Sequence, residues 1–164
     1  MPKSFAIRQL LDCSQQEFWD RIFRSEDFNR FLYDGLGFGY ELLEWNDQRG
    51  YRKARVWPGH QMPGPLAQVF GERFSYTEEG TYDPVTECYQ FRVIPSAMPD
   101  RIRAVGSVVV EGHSENQCER KVSLEISADV LGLSRVIESY LASSTREQYA
   151  KNAALVNEYL ADFR

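Results

Sequence analysis

Histidine and cysteine are scarce in this chain, and the few present are badly spaced for metal or redox chemistry. The 164 residues hold two histidines, His60 and His113, and three cysteines, Cys13, Cys88 and Cys118. Neither histidine belongs to an HxxxH or HExxH pattern, so neither a zinc site nor a Ser-His-Asp arrangement is suggested. The cysteines are odd in number, far apart and in no CxxC pair, which suggests no disulfide framework and predicts reduced thiols. No metal and no cofactor is expected. Excess positive charge is missing too: 19 Lys and Arg against 24 Asp and Glu give a net charge of −5. That balance argues against a nucleic-acid partner. It gives no general attraction to anionic membrane surfaces, so at most transient membrane contact stays open. No apolar run of roughly eighteen residues is present to span a bilayer. The first residues, with one Lys and no long apolar core, show no secretory leader pattern, so a cytoplasmic location is expected.

What the chain does have is a long periodic segment at its end. From Asp129 to Phe163 the spacing predicts one helix of about thirty residues, some 45 Å long. Val130, Leu133, Ile137, Tyr140, Leu141, Leu155 and Tyr159 fall on one side, with Val156, Leu160 and Phe163 beside them. Ser144, Gln148 and Asn152 interrupt that stripe in the middle. Two readings fit: the helix closes a cavity there and offers hydrogen bonds to a ligand, or the middle is a solvated, slightly bent stretch.

The length is that of one domain, 1–164, able to bury a core without staples. Ser4 to Leu11 alternates as a first strand with Phe5, Ile7 and Leu11 on one face. Asp12 or Ser14 can cap a helix from Gln15 to Phe23 with Glu17 in its first turn and Phe18, Trp19 and Ile22 inward. Ser25 offers a second cap, and a short helix carrying Phe28, Phe31 and Leu32 is stopped by Gly35 and Gly37. Strands are then predicted at Tyr40 to Trp45, Tyr51 to Trp57, Val69 to Thr77, Cys88 to Ile94, Ile102 to Gly112 and Cys118 to Ser127. Turns fall at Asn46-Asp47, Glu79-Gly80, Pro95 to Asp100 and Ser114 to Asn116. The stretch from Pro58 to Pro65 has three prolines and two glycines in eight residues. It reads as a protruding loop with Met62 and Leu66 as an apolar tip, either over a cavity or as a plain surface connection. On Ile102 to Gly112, Ala104 and Gly106 share parity with Val108 and Val110, and their small size leaves room above the sheet for a helix or a ligand.

One strand, two short helices, a six-strand meander and a long final helix resemble the START-like, or SRPBCC, superfamily. Locally, Leu11-Asp12-Cys13-Ser14-Gln15-Gln16-Glu17-Phe18-Trp19 is similar to that superfamily's strand-exit segment: an apolar residue, a small one, a cap, then an aromatic pair. The piece from Phe23 through Pro63-Gly64-Pro65 to the closing helix is similar to the sterol-binding VASt modules. The resemblance implies an α+β helix-grip fold, a curved antiparallel sheet of about seven strands around the C-terminal helix. It also implies a tunnel between them for a lipid, sterol, polyketide or other apolar molecule. An apolar small-molecule ligand is therefore the expected partner, held by Tyr76, Phe91, Leu124, Ile137, Tyr140, Leu141, Ser144 and Gln148. Glu72, on one face with Phe70, Phe74 and Tyr76, is a candidate buried carboxylate with a raised pKa, with Arg55 or Arg92 as partner, or else a surface group at an open sheet end. Some members of the superfamily are cyclases and dehydratases, so a catalytic use of Glu72 stands as the alternative to binding alone. A third option is a groove for a protein partner. Oligomeric state is left open by the meander's edge strands.

Overall fold

Ser14 starts the helical part of the chain as expected. Its hydroxyl accepts from the Glu17 amide at 3.1 Å while Glu17 reaches back to the Ser14 amide, a reciprocal capping box. In the computed structural model, which describes residues 2–59, 62, 64–71 and 73–162, this cap opens α1 (Gln15–Glu17), continued by a wider π-helical turn over Phe18–Phe23. Ser25 then caps α2 (Glu26–Leu36), accepting from the Phe28 amide at 3.1 Å. That helix runs through Gly35 and ends at Gly37, whose φ of 73° is a left-handed cap that glycine adopts without a side-chain clash.

The strands are β1 (Lys3–Leu11), β2 (Gly39–Asn46), β3 (Tyr51–Trp57), β4 (Tyr76–Asp83), β5 (Cys88–Pro95), β6 (Ile102–Ser114) and β7 (Gln117–Ala128). They form one antiparallel sheet in the order β1-β7-β6-β5-β4-β3-β2, curved around the last helix, which is the helix-grip arrangement. Bulges at Leu42/Glu44 and Gly112/Ser114 add local bending.

Two segments differ from the sequence-based expectation. Of the predicted strand Val69 to Thr77, Val69 and Phe70 end a short helix, α3 (Gly64–Phe70), and only Tyr76 and Thr77 lie in a strand, β4. Pro65 suits the first helical turn, and Leu66, Val69 and Phe70 recur at the helical spacing of three and four, which outweighs the alternation that continues beyond them. Leu66 is therefore no loop tip; it is 2% exposed and packs with Phe70, Ile102 and Ile137. Second, Glu79 and Gly80 lie inside β4, and the hairpin turns at residues 84–87 instead. There the Asp83 carboxylate accepts from the Val85 amide at 2.9 Å, an Asx turn ahead of which Pro84 fixes its own φ. His60, Gln61 and Pro63 of the Pro/Gly stretch lie outside the described residues, as does Phe163.

The last helix, α4 (Ser134–Asp162), is 29 residues long and begins one turn later than the periodicity suggests. Ser134 exchanges hydrogen bonds with the backbone of Val130, and the buried Glu138 carboxylate accepts from the Ala128 amide at 3.0 Å. α4 packs on β1, β7 and α2. None of the described helices is long and apolar enough to cross a membrane. The apolar ends of the α4 stripe enter two separate cores, Ile137 with Leu66, Phe70 and Ile102, and Val156 and Leu160 with Leu11, Phe28 and Leu32. Leu160→Ala, at a side chain 1% exposed, is expected to cost about 2–5 kcal/mol. Urea denaturation checks this as a lowered midpoint at unchanged slope.

Candidate functional site

Between those two cores the sheet and α4 part, leaving a cavity of about 200 Å³. Alternation on the strands decides which side chains turn to the concave side, and of these Arg52, Tyr89, Phe91, Val93, Arg120, Leu124 and Ile126 line the cavity. On β3 the inward set is Arg52, Ala54 and Val56; on β5 it is Tyr89, Phe91 and Val93; on β7 it is the even positions from Cys118 to Ile126. The π-helical turn and α2 add Phe18, Ile22, Phe23, Phe28 and Leu32 at one end, and α3 adds Phe70 at the other. The wall is mostly ring and aliphatic surface.

The polar middle of α4 belongs to this wall: Ser144, Thr145, Gln148, Tyr149 and Asn152 all line it. Of the residues singled out from sequence, Tyr76, Phe91, Leu124, Tyr140, Leu141, Ser144 and Gln148 are brought together around the cavity. Ile137 is not on the wall; it is fully buried in the neighbouring core, one turn too early on α4. Glu72 lies outside the described residues. Its suggested partners do not turn inward: Arg55 is exposed beside Trp57, and Arg92 pairs with Glu79 on the outer face. The room expected above Gly106 is taken up by neighbours, since a Cβ there would sit 2.6 Å from a ring atom of Phe91 and 2.8 Å from the Ser123 carbonyl oxygen.

The sequence reading missed the charged part of the wall, namely Arg52, Glu78 and Arg120. Arg52 donates to the Tyr40 hydroxyl at 3.0 Å, and that hydroxyl donates to Glu26 at 2.8 Å. Tyr33 stacks on Tyr40 with 4.6 Å between ring centres. Burial disfavours the Arg52 charge, but Glu78, then Tyr33 and Tyr40, more than offset this and its pKa stands above the usual value. Glu78 accepts from the Tyr89 hydroxyl at 3.3 Å, and Gln148 donates to the Tyr76 hydroxyl at 3.3 Å. Arg120, 4% exposed, donates to Asn152 at 2.8 Å and to Gln9, whose amide nitrogen donates to the Tyr149 carbonyl at 2.6 Å. Its guanidinium lies over the rings of Tyr149 and Phe18. Parity was the available signal: Arg52 shares it with Ala54 and Val56, and Arg120 with Val122, Leu124 and Ile126. Among the described residues no group of three or more His, Cys, Asp and Glu is placed to hold a metal ion.

Burial is the first cause that makes Tyr33, Tyr76, Tyr89 and Tyr149 harder to ionise, and Glu78 adds to it for each. Burial also pushes Tyr40 up to about 12 against the opposing charge of Arg52. These groups are neutral near pH 7, and the Tyr89 hydroxyl donates to Glu78 on the wall while that of Tyr40 donates to Glu26 behind it. A tyrosine whose folded pKa is raised gives full stability below the unfolded value of 10.0, lost as pH climbs through the folded value. Urea midpoints are therefore expected to fall above about pH 10, and Tyr89→Phe to make that alkaline decline shallower.

Comparison with solved structures gives the same fold repeatedly. Zhui aromatase/cyclase from Streptomyces sp. R1128 superposes with a TM-score of 0.69 at 12% identity, covering 96% of this chain and 93% of that one. Norcoclaurine synthase from Thalictrum flavum, in complex with dopamine and hydroxybenzaldehyde, gives 0.67 at 15% identity, covering 100% and 89%. A START superfamily protein from Mycobacterium smegmatis gives 0.63 at 10% identity, covering 98% and 99%. Likeness at such identities is likeness of fold, and it agrees with the START-like resemblance; the finer VASt likeness gains no support from it. No curated protein matches the chain. A family model does match residues 10–160, nearly the whole chain, and by that match the protein belongs to the family described as "Protein of unknown function (DUF2505)".

Proposed function

We propose that this protein binds a small, mainly apolar molecule in the cavity between the sheet and α4. The observation that carries the reading is the hollow itself, about 200 Å³ walled by rings and aliphatic groups, with a few polar side chains converging on it. Apolar burial contributes roughly 25 cal/mol per Å², and the placed polar groups orient what is held. The size lies below the roughly 300 to 1,000 Å³ common for drug-sized ligands. A compact molecule of one or two rings, or a short acyl chain, suits it better than a sterol. Norcoclaurine synthase, of the same fold, is described with dopamine and hydroxybenzaldehyde bound, which are molecules of that size class.

A second reading, acid–base chemistry on the bound molecule in the manner of a cyclase or dehydratase, is favoured by Glu78. This carboxylate is on the wall with the Tyr89 hydroxyl donating to it and the Arg52 charge nearby. It takes the role that the sequence reading gave to Glu72.

Three measurements test these readings. Native mass spectrometry of protein from its own host is expected to show a bound small molecule, and calorimetry to show uptake of naphthylmethanol, an uncharged two-ring probe. Ala104→Phe, which puts a ring into the cavity from β6, is expected to weaken probe binding by about tenfold or more while costing about 1–3 kcal/mol of stability. A bare chain mass together with no probe uptake would sink the binding reading. For any turnover found, Glu78→Gln is expected to lower kcat by about 100-fold or more; unchanged turnover removes Glu78 from the chemistry and leaves binding.

A further inference from the structure

The two arginines on the cavity wall differ in one respect. Arg52 has a carboxylate, Glu78, as the leading favourable influence on its charge, and through the Tyr40 hydroxyl it is linked to a second, Glu26. Among the described residues neither arginine has a carboxylate within 4.0 Å, and both leave a buried Nε–H without a partner, but Arg120 has no carboxylate among the groups that favour its charge, which are Tyr149, Cys118 and Cys13, and no hydrogen-bonded link to one. Burial draws Arg120 down to about 10, which still leaves it cationic near pH 7. Among the described residues this buried positive charge has no counter-ion.

Its hydrogen bonds do not account for the charge. A guanidinium has five N–H groups. Gln9 and Asn152 take one from each terminal nitrogen, and the buried Nε–H has no partner. Two amide oxygens are equally well served by a neutral donor, whereas a buried cation is costly unless something negative meets it. The free N–H groups belong to a side chain on the cavity wall, between the rings of Phe18 and Tyr149. Planar guanidinium edges match carboxylates with two parallel hydrogen bonds.

Resting on the binding function proposed above, we propose that Arg120 receives a carboxylate carried by the cavity's otherwise apolar ligand, so the ligand class is a small aromatic or short aliphatic carboxylic acid. The rings beside the guanidinium take the apolar body. Gln9 and Asn152 hold Arg120 in place from β1 and α4.

The test is a matched pair of probes, naphthoate and naphthylmethanol of the same isomer, titrated calorimetrically into the full chain. Wild type is expected to bind the acid about tenfold more tightly than the alcohol. Arg120→Gln is expected to erase that preference, read as the ratio of acid to alcohol affinity within the variant, and Arg120→Lys to retain part of it. Alcohol bound with no preference for the acid, or a preference that survives in Arg120→Gln, overturns the carboxylate role and leaves the cavity reading intact. Absence of binding by both probes overturns the two together. Should Arg120→Gln fail to fold, the wild-type arginine Nε–H resonance, assigned by its loss in Arg120→Lys, is expected to shift with naphthoate and stay still with naphthylmethanol. A resonance indifferent to both overturns the proposal.

Discussion

β1 has no strand beside it in sequence; it pairs along its full length with β7, from Lys3 opposite Ile126 to Leu11 opposite Cys118. That register places Gln9 opposite Arg120, so that an amide from the first strand reaches a guanidinium on the last. A slip by one residue would turn every side chain of β1 to the other face. The same pairing lets α1 and α2 leave from one end of the sheet and α4 return across its concave side. Cys13 and Cys118, with sulfurs 4.0 Å apart, are packed into the corner where β1 hands over to α1. What lies between sheet and helix is thus framed by contacts that are far apart in sequence.

Given that frame, the cavity persists because neither core can expand into it. The Tyr-lined end is held by the Arg52–Tyr40–Glu26 chain with Tyr33 stacked against it, and the other by Leu66 and Phe70 under Ile137. Close packing is the rule in protein interiors. A hollow of this kind is held open where polar groups bond across it rather than collapse inward, Gln148 to Tyr76 and Arg120 to Asn152.

Much of this was legible from sequence because its signals were long or local. The α4 stripe spans eight turns, Ser14 and Ser25 sit at their caps, and β7 alternates cleanly. The polar interruption at Ser144, Gln148 and Asn152 marked the cavity's position, although the same residues fit a solvated mid-section equally well until the sheet was placed over them. Phe70, Glu72, Phe74 and Tyr76 were misleading. Their alternation continues in phase into Glu78, so a strand drawn a few residues early took in the end of α3 and stopped short of the carboxylate that lines the wall. Arg52 and Arg120 escaped notice for a different reason. A charged residue at an inward parity reads as a flaw in a strand, and only closure of the sheet shows that the inside is not all core.

The π-helical turn over Phe18–Phe23 carries a consequence for how this fold can vary. An ordinary α spiral would set Phe18 and Phe23 about 140° apart around the axis. The i to i+5 spacing, seen in the Arg24 amide bonding to the Trp19 carbonyl at 3.1 Å, brings both onto the cavity side. The extra residue in that turn works as a spacer. Exchanging one ring for another here would keep the chamber's outline, but a single insertion or deletion would turn Phe18 or Phe23 away from it.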